Sequence, residues 1–333
     1  MTIASPLHLV PDVTPPRLGL RAYLACFRGI VWREVLRFLH QTERFFSALV
    51  RPLVWLFIFA AGFRQVLGVS IIPPYQSYVL YEEFVTPGLV GMILLFNAMQ
   101  SSLSMVYDRE TGTMRTLLVS PFPRSFLLVS KLLGGVSVAL LQVFAFLLVA
   151  YFWGIELPPV DEIKLFTGFE SPGWLEAIIP SMKEPVIVSF LAVPAFLQPV
   201  AGYLFVIPAL VIAGLMLGSL ALFMSSIIKQ LENFAGVMNF VIFPMFFASS
   251  ALYPLWRIRE SSPLLYEICR FNPFSYAVEL IRFALYGHVD VVSLLVVSAC
   301  TVLFLAAAVF AYNPSKGLIG RRGGPGGPGA GGG

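Results

Sequence analysis

An all-α polytopic membrane protein is the fold class this sequence predicts, and three observations predict it. Hydrophobic residues make up 58% of the 333 positions and charged residues only 12%, with mean hydropathy +0.83. A soluble domain carries far more charge on its surface. Six apolar runs are long enough, at roughly 20 residues each, to cross a bilayer. Arg and Lys are unevenly spread over the segments between the runs.

In chain order, Met1–Leu20 has no continuous apolar core and contains Pro6, Pro11, Pro15 and Pro16. It reads as a flexible tail rather than a signal peptide. Residues 21–48 read as an amphipathic interfacial helix. Val31, Val35, Phe38, Leu39, Phe45 and Phe46 fall on one side, and Arg33, Arg37, His40, Gln41 and Arg44 on the other. A basic polar face of this kind suits the surface of an anionic leaflet.

The six expected spans are about Val50–Val69, Val85–Val106, Phe126–Tyr151, Gly202–Ile228, Phe234–Leu255 and Val291–Tyr312, within a transmembrane domain over 49–313. Pro52 lies in the first turn of the first span, where a missing N–H matters little. Pro208 and Pro244 lie inside later spans and predict kinks. With both ends cytoplasmic, fifteen basic residues fall on inner segments and seven on outer ones, the bias that orients membrane proteins.

Between the third and fourth spans, the outer insert 156–200 starts polar and turns apolar at Val186–Val200. Fifteen residues at 1.5 Å each fall short of a hydrocarbon core of roughly 30 Å. The run reads as an interfacial or re-entrant piece, with a seventh span as the alternative. Ser225–Asn233 is a short polar break that predicts a tight hairpin. Glu279 and Arg282, three residues apart before the last span, suggest a surface pair. Asp290 suggests a solvated helix cap. Residues 314–333 are a Gly/Pro-rich tail expected to be disordered.

The chemistry the sequence lacks narrows the function. No phosphate-cradling GxxxxGK[ST] loop occurs. His8, His40 and His288 are scattered and form no metal set, and Cys26, Cys269 and Cys300 show no CxxC spacing. The basic excess fits cytoplasmic flanks better than nucleic-acid binding. The second span is unusually polar at Asn97, Gln100, Ser101, Ser102 and Ser104. These residues are either interhelical hydrogen-bonding groups or the lining of a substrate route. The lack of central charge disfavours an ion-coupled secondary transporter. The absence of clustered acids or histidines disfavours a lipid-modifying membrane enzyme.

The strongest local signal is Tyr107–Arg124, a charged stretch between two apolar runs. Its residues Asp108, Arg109, Glu110, Gly112, Thr113, Arg115, Leu117, Leu118, Pro121 and Arg124 resemble the first cytoplasmic loop of ABC-2 type transporter permeases. That loop has an acid-Arg-Glu-x-Gly-Thr stretch, then Leu-Leu, then a small residue, Pro and a basic residue. Asn272, Pro273, Tyr276 and Arg282 resemble the family's segment before the last span. The resemblance implies that Tyr107–Arg124 docks on an ATP-hydrolysing partner. It implies that the helix with Arg33, Arg37 and Arg44 is a connecting helix touching that partner. Asn272–Tyr286, including Glu279, is implied to form re-entrant outer helices. Two permease copies, identical or different, would pair in the plasma membrane for export. ATP and Mg would be bound in the partner ATPase subunit, with no cofactor or metal on this chain. Membrane lipids are further expected contacts.

Overall fold

The computed structural model describes residues 19–40, 42–63, 80–110, 121–155, 157–167, 186–228 and 230–311. Its helices are α1 (Leu20–His40), α2 (Thr42–Phe63), α3 (Tyr81–Glu110), α4 (Arg124–Phe152), α5 (Gln198–Ile227), α6 (Leu231–Phe247), α7 (Leu255–Ser261), α8 (Pro263–Phe271), α9 (Pro273–Leu285) and α10 (Val291–Ala311). Strands β1 (Glu162–Thr167), β2 (Val186–Ala192) and β3 (His288–Asp290) form one small sheet in the order β2-β1-β3.

Among the described residues, four helical stretches are long and apolar enough to cross a membrane: Tyr81–Tyr107, Ser125–Phe152, Gln198–Ile227 and Val291–Ala311. The other two expected spans appear as the shorter apolar helices Leu49–Ile58 and Leu231–Phe247. At 1.5 Å per residue, α6 reaches roughly 26 Å, a little less than the usual hydrocarbon thickness. Helices α5 and α6 run on through Pro208 and Pro244. They are separated by only the few residues of the polar break, as the hairpin reading requires.

Helices α3 and α5 form the centre. Met105, Leu128, Leu222 and Ala308 cluster at the end where α3 finishes and α4 begins. The opposite end carries the sheet and α7–α9. There α9 is buried from Phe274 to Leu285, against α3, α5 and α10. Two glycines permit the closest approaches. A Cβ on Gly88 of α3 would lie 2.4 Å from the Ala251 carbonyl oxygen, and one on Gly202 of α5 would lie 2.3 Å from that of Leu285.

Local sequence explains the short helices. Ser262 caps α8 and Asn272 caps α9, each accepting from a backbone N–H within the first turn. Pro263 and Pro273 then occupy first-turn positions that lack a helical partner anyway.

The insert differs from the sequence reading. Val186–Ala192 is a strand, paired antiparallel to β1 from Glu162↔Ala192 to Thr167↔Val186. β1 also pairs in parallel with β3, and Phe166 stacks on Phe283 at 5.0 Å to hold the sheet on α9. The run Val186-Ile187-Val188 is β-branched, and Pro185 and Pro194 bracket it, which favours strand over helix. No helical seventh span forms there, since α5 takes up the chain from Gln198.

Over the expected interfacial helix the described residues are helical as Leu20–His40 and from Thr42 on, with residue 41 outside the described residues. Phe38 is buried, whereas Leu39 and Phe46 are exposed. Consecutive residues differ by 100° around a helix, so Phe38 and Leu39 cannot share a narrow buried stripe.

Replacing Gly88 or Gly202 by Val should destabilise the protein by at least roughly 1–3 kcal/mol through overpacking. Gly236→Ala, at a site with nothing within 4 Å, should be neutral or stabilising by up to about 1 kcal/mol. Thermal unfolding of the purified variants checks both outcomes.

Candidate functional site

Two regions stand out once the side chains are placed, one at each end of the bundle. At the end where α3 gives way to α4, the last turn of α3 carries Asp108, Arg109 and Glu110, and Arg124 opens α4. Gly112, Thr113, Arg115, Leu117 and Leu118 lie outside the described residues. Pro121 is exposed and Pro123 stands at the α4 N-cap.

α1 lies along the first half of α4. The Tyr23 ring meets Phe122 and Phe126 edge-on at 5.2 and 5.0 Å. A Cβ on Gly134 would come within 3.2 Å of the Glu34 side chain. Glu34 pairs with Arg33 at 3.2 Å and with Arg37 at 4.0 Å, leaving both guanidiniums largely exposed. Tyr23 thus marks the Phe122 end of α4, while Arg33 and Arg37 flank Glu34 farther along, beside Gly134. The Arg44 side chain lies outside the described residues.

The polar residues of α3 open on two neighbouring clefts. One lies between α1, α3 and α4 and is lined by Glu34, Arg37, Asn97, Gln100, Ser101 and Ser104. The other lies between α2, α3 and α4 and is lined by Arg51, Phe96, Asn97, Gln100 and Gln142 among others. Asn97 and Gln100 border both. Asn97 donates to the Ile93 carbonyl and across to Gln142 Oε1, and Ser104 donates to the Ser101 carbonyl at 2.7 Å. The two readings of this polar stretch thus coexist, because one amide bridges helices while its neighbours face open space.

Sequence reading missed Glu34, Arg51 and Gln142 as cleft residues. Gln142 had a signal, being a lone amide in the apolar run Phe126–Tyr151. Arg51 had none, because it reads as a flank of the first span.

At the sheet end, Glu279 and Arg282 are not a surface pair. Their side chains are only 2% and 3% exposed and they bond to each other. Arg282 also donates to the Ser250 carbonyl at 2.9 Å and lies 4.1 Å from the Phe84 ring centroid. Tyr81 donates to the Leu252 carbonyl at 2.8 Å. Asn272 donates to the Met245 and Ala248 carbonyls, both at 2.7 Å. Tyr276, following Pro273 on α9, is also buried. The helical spacing of Glu279 and Arg282 identified the pair, but burial depends on where α9 docks.

Asp290 is likewise buried rather than solvated. It does cap α10, since Oδ2 accepts from Ser293 N at 2.9 Å. Burial pushes its carboxyl up to about 7. Hydrogen bonds from Ser293 oppose that rise, and the Glu279 charge adds to it. Among the described residues no group of three or more His, Cys, Asp or Glu could hold a metal ion.

The sequence profile of the ABC-2 type transporter family matches residues 26–167 and 175–286. The chain belongs to that family. Its ABC-2 relatives include a protein named transport permease ycf38 in Cyanophora paradoxa, 29% identical over 247 residues, which are 73% of this chain and 67% of that one. The ycf38 protein of Porphyra purpurea is 24% identical over 79% of this chain and 74% of its own length. The protein named multidrug ABC transporter permease YbhR in Escherichia coli K12 is 32% identical over 93 residues, covering 28% of this chain and 25% of its own length. This ABC-2 protein is thus a membrane transport component, and its family is not itself catalytic. The profile match takes in the Asp108–Arg124 stretch, both clefts and the buried Glu279–Arg282 pair.

Glu279→Gln should destabilise the ABC-2 fold by roughly 3–5 kcal/mol, because it leaves a buried guanidinium without its counter-charge. The double replacement Glu279→Leu with Arg282→Met should recover much of that loss in thermal unfolding.

A raised carboxyl pKa means that the folded protein binds more protons than the unfolded chain between the two values. Asp290 therefore contributes stability that is full below the ordinary Asp range and is lost as pH rises through about 7. Asp290→Asn should flatten that slope when midpoints are compared between pH 4 and pH 8.

Proposed function

We propose that this chain is the permease subunit of an ATP-driven exporter and that a separate subunit hydrolyses the ATP. One observation supports this most: α1 packs on the start of α4, where Tyr23 meets Phe122 and Phe126, and carries the exposed Arg33 and Arg37. A partner docking on Asp108–Arg124 would meet the Tyr23 end of α1 at once. Movement there would pass into α3 and α4, the helices that border both clefts. Coupling of this kind needs packing with two arrangements biased by nucleotide. In this reading ATP and Mg belong to the partner. Two permease copies, identical or different, assemble with two ATPase subunits in the plasma membrane.

The proposed topology has six spans and both ends in the cytoplasm. It is supported by the bias of basic residues and by the alternating direction of α2 through α6 and α10. Here α2 and α6 are short spans, and α7–α9 form the re-entrant segment in the outer leaflet. Asn97, Gln100, Ser101 and Ser104 would line the cargo route. The multidrug name of the Escherichia coli relative makes amphiphilic small molecules a sensible first cargo class to test.

The coupling role predicts that Glu110→Ala and Gly112→Val insert and fold normally yet transport poorly. Truncating one partner of a desolvated charge pair weakens an interface by roughly 2–5 kcal/mol. Co-purified ATPase should therefore be lost or uncoupled, and normal transport with an unchanged ATPase response would refute the docking. The topology predicts that single cysteines at Ser120 and Ser171, in a background lacking Cys26, Cys269 and Cys300, label differently in intact cells. An impermeant reagent should reach Ser171 and not Ser120, and the reverse would exclude this orientation.

A further inference from the structure

Arg51 is the least explained charge in the described structure. It lies in α2 within the apolar stretch Leu49–Ile58 and is itself exposed. Its guanidinium stands 3.9 Å from the Phe96 ring centroid, near the midpoint of the 30-residue α3. An arginine set among apolar helical residues of a membrane protein is unfavourable unless it has a partner or a task. Among the described residues it forms no ion pair and no hydrogen bond, and the aromatic face is its one recorded contact.

The surroundings supply more donors. Gln142 is 2% exposed, and its Oε1 is taken by Asn97. That leaves its Nε2 donor unpartnered among the described residues and turned to the same cleft. Gln100 adds a second amide with no partner among them. Met92, Ile93, Phe96 and Pro52 supply apolar wall. Among the described residues no carboxylate lines this cleft; Glu34 lines the adjoining one, and Arg33 and Arg37 already pair with it.

Converging donors, one full positive charge and an apolar wall select a ligand whose head only accepts hydrogen bonds and whose tail is hydrocarbon. We infer that the cleft between α2, α3 and α4 binds the anionic head of an amphiphile, a phosphate or carboxylate held by Arg51 with Gln100 and Gln142. The cleft holds about 70 Å3, so it takes the head while the chain extends beyond it. This names the substrate class of the proposed permease and rests on that reading. The same head chemistry occurs on a bilayer lipid and on a cytoplasmic cargo molecule.

The test uses the full chain, purified without any ATPase in neutral maltoside micelles. Dodecyl phosphate is titrated in while the unfolding midpoint is followed. The midpoint should rise saturably with dodecyl phosphate and with laurate, and not with dodecyltrimethylammonium. Arg51→Gln should weaken the effect about ten-fold or more, Arg51→Lys less, and Gln100→Leu by a few-fold. The unliganded midpoint of each variant reports whether it has folded. If Arg51→Gln does not fold, Arg51→Lys and Gln100→Leu decide the matter.

Equal responses from folded variants and the wild-type protein would overturn the site. Equal stabilisation by the ammonium amphiphile would do the same, and an equal effect of inorganic phosphate alone would overturn the amphiphile class. Preloading with phosphatidylglycerol separates the two sources. A blocked response assigns the site to a bilayer lipid, and an unblocked one to a cargo amphiphile. Because no ATPase is present, failure here leaves the coupling reading standing, and normal coupling variants leave this site standing.

Discussion

The buried guanidinium of Arg282 is the constraint on which the sheet end of this protein depends. A charge that is 3% exposed is tolerable only when its donors are met. Glu279 meets it from the same helix and the Ser250 carbonyl from the turn after α6. The Phe84 ring covers it from α3. Three segments far apart in the chain are thereby tied to one side chain. Asn272 adds a second tie, closing the Met245 and Ala248 carbonyls that the end of α6 leaves without helical partners. The approach of Gly88 to Ala251 and of Gly202 to Leu285 follows from that docking, since α9 sits inside the ring of helices rather than on it.

The other half of the bundle is built differently. Along α3 beyond Phe96, polar side chains line two clefts between α3, α4 and the helices α1 and α2. Contacts bordering them include an amide-to-amide bond and a cation over a ring. Segments with fewer buried apolar contacts open at lower free energy than a packed core. A transporter needs this division of labour. In the proposed exporter the sheet end would serve as the fixed frame and the helices around the clefts would change their packing.

Much of this was legible in sequence wherever a short stretch decides its own structure. Hydropathy found the apolar runs because bilayer thickness sets a length that a simple count can read. Pro121 and Pro123 lie just before the start of α4. Local signals were less reliable where two outcomes shared one composition. Val186–Ala192 is as apolar as a span, and only its β-branched run and flanking prolines hinted at a strand.

By itself, then, the sequence determined a helical membrane protein of the ABC-2 family, with apolar runs of which four appear among the described residues as helices long enough to cross a membrane. These follow from composition, period and motif along one dimension. Tertiary structure alone decided that Glu279, Arg282 and Asp290 are buried, that β1 joins β2 to β3, and that Arg51 faces Phe96 and Gln142. The reason is physical. Whether a charge is solvated or enclosed depends on which distant helices close around it, and no window along the chain contains both sides of that contact.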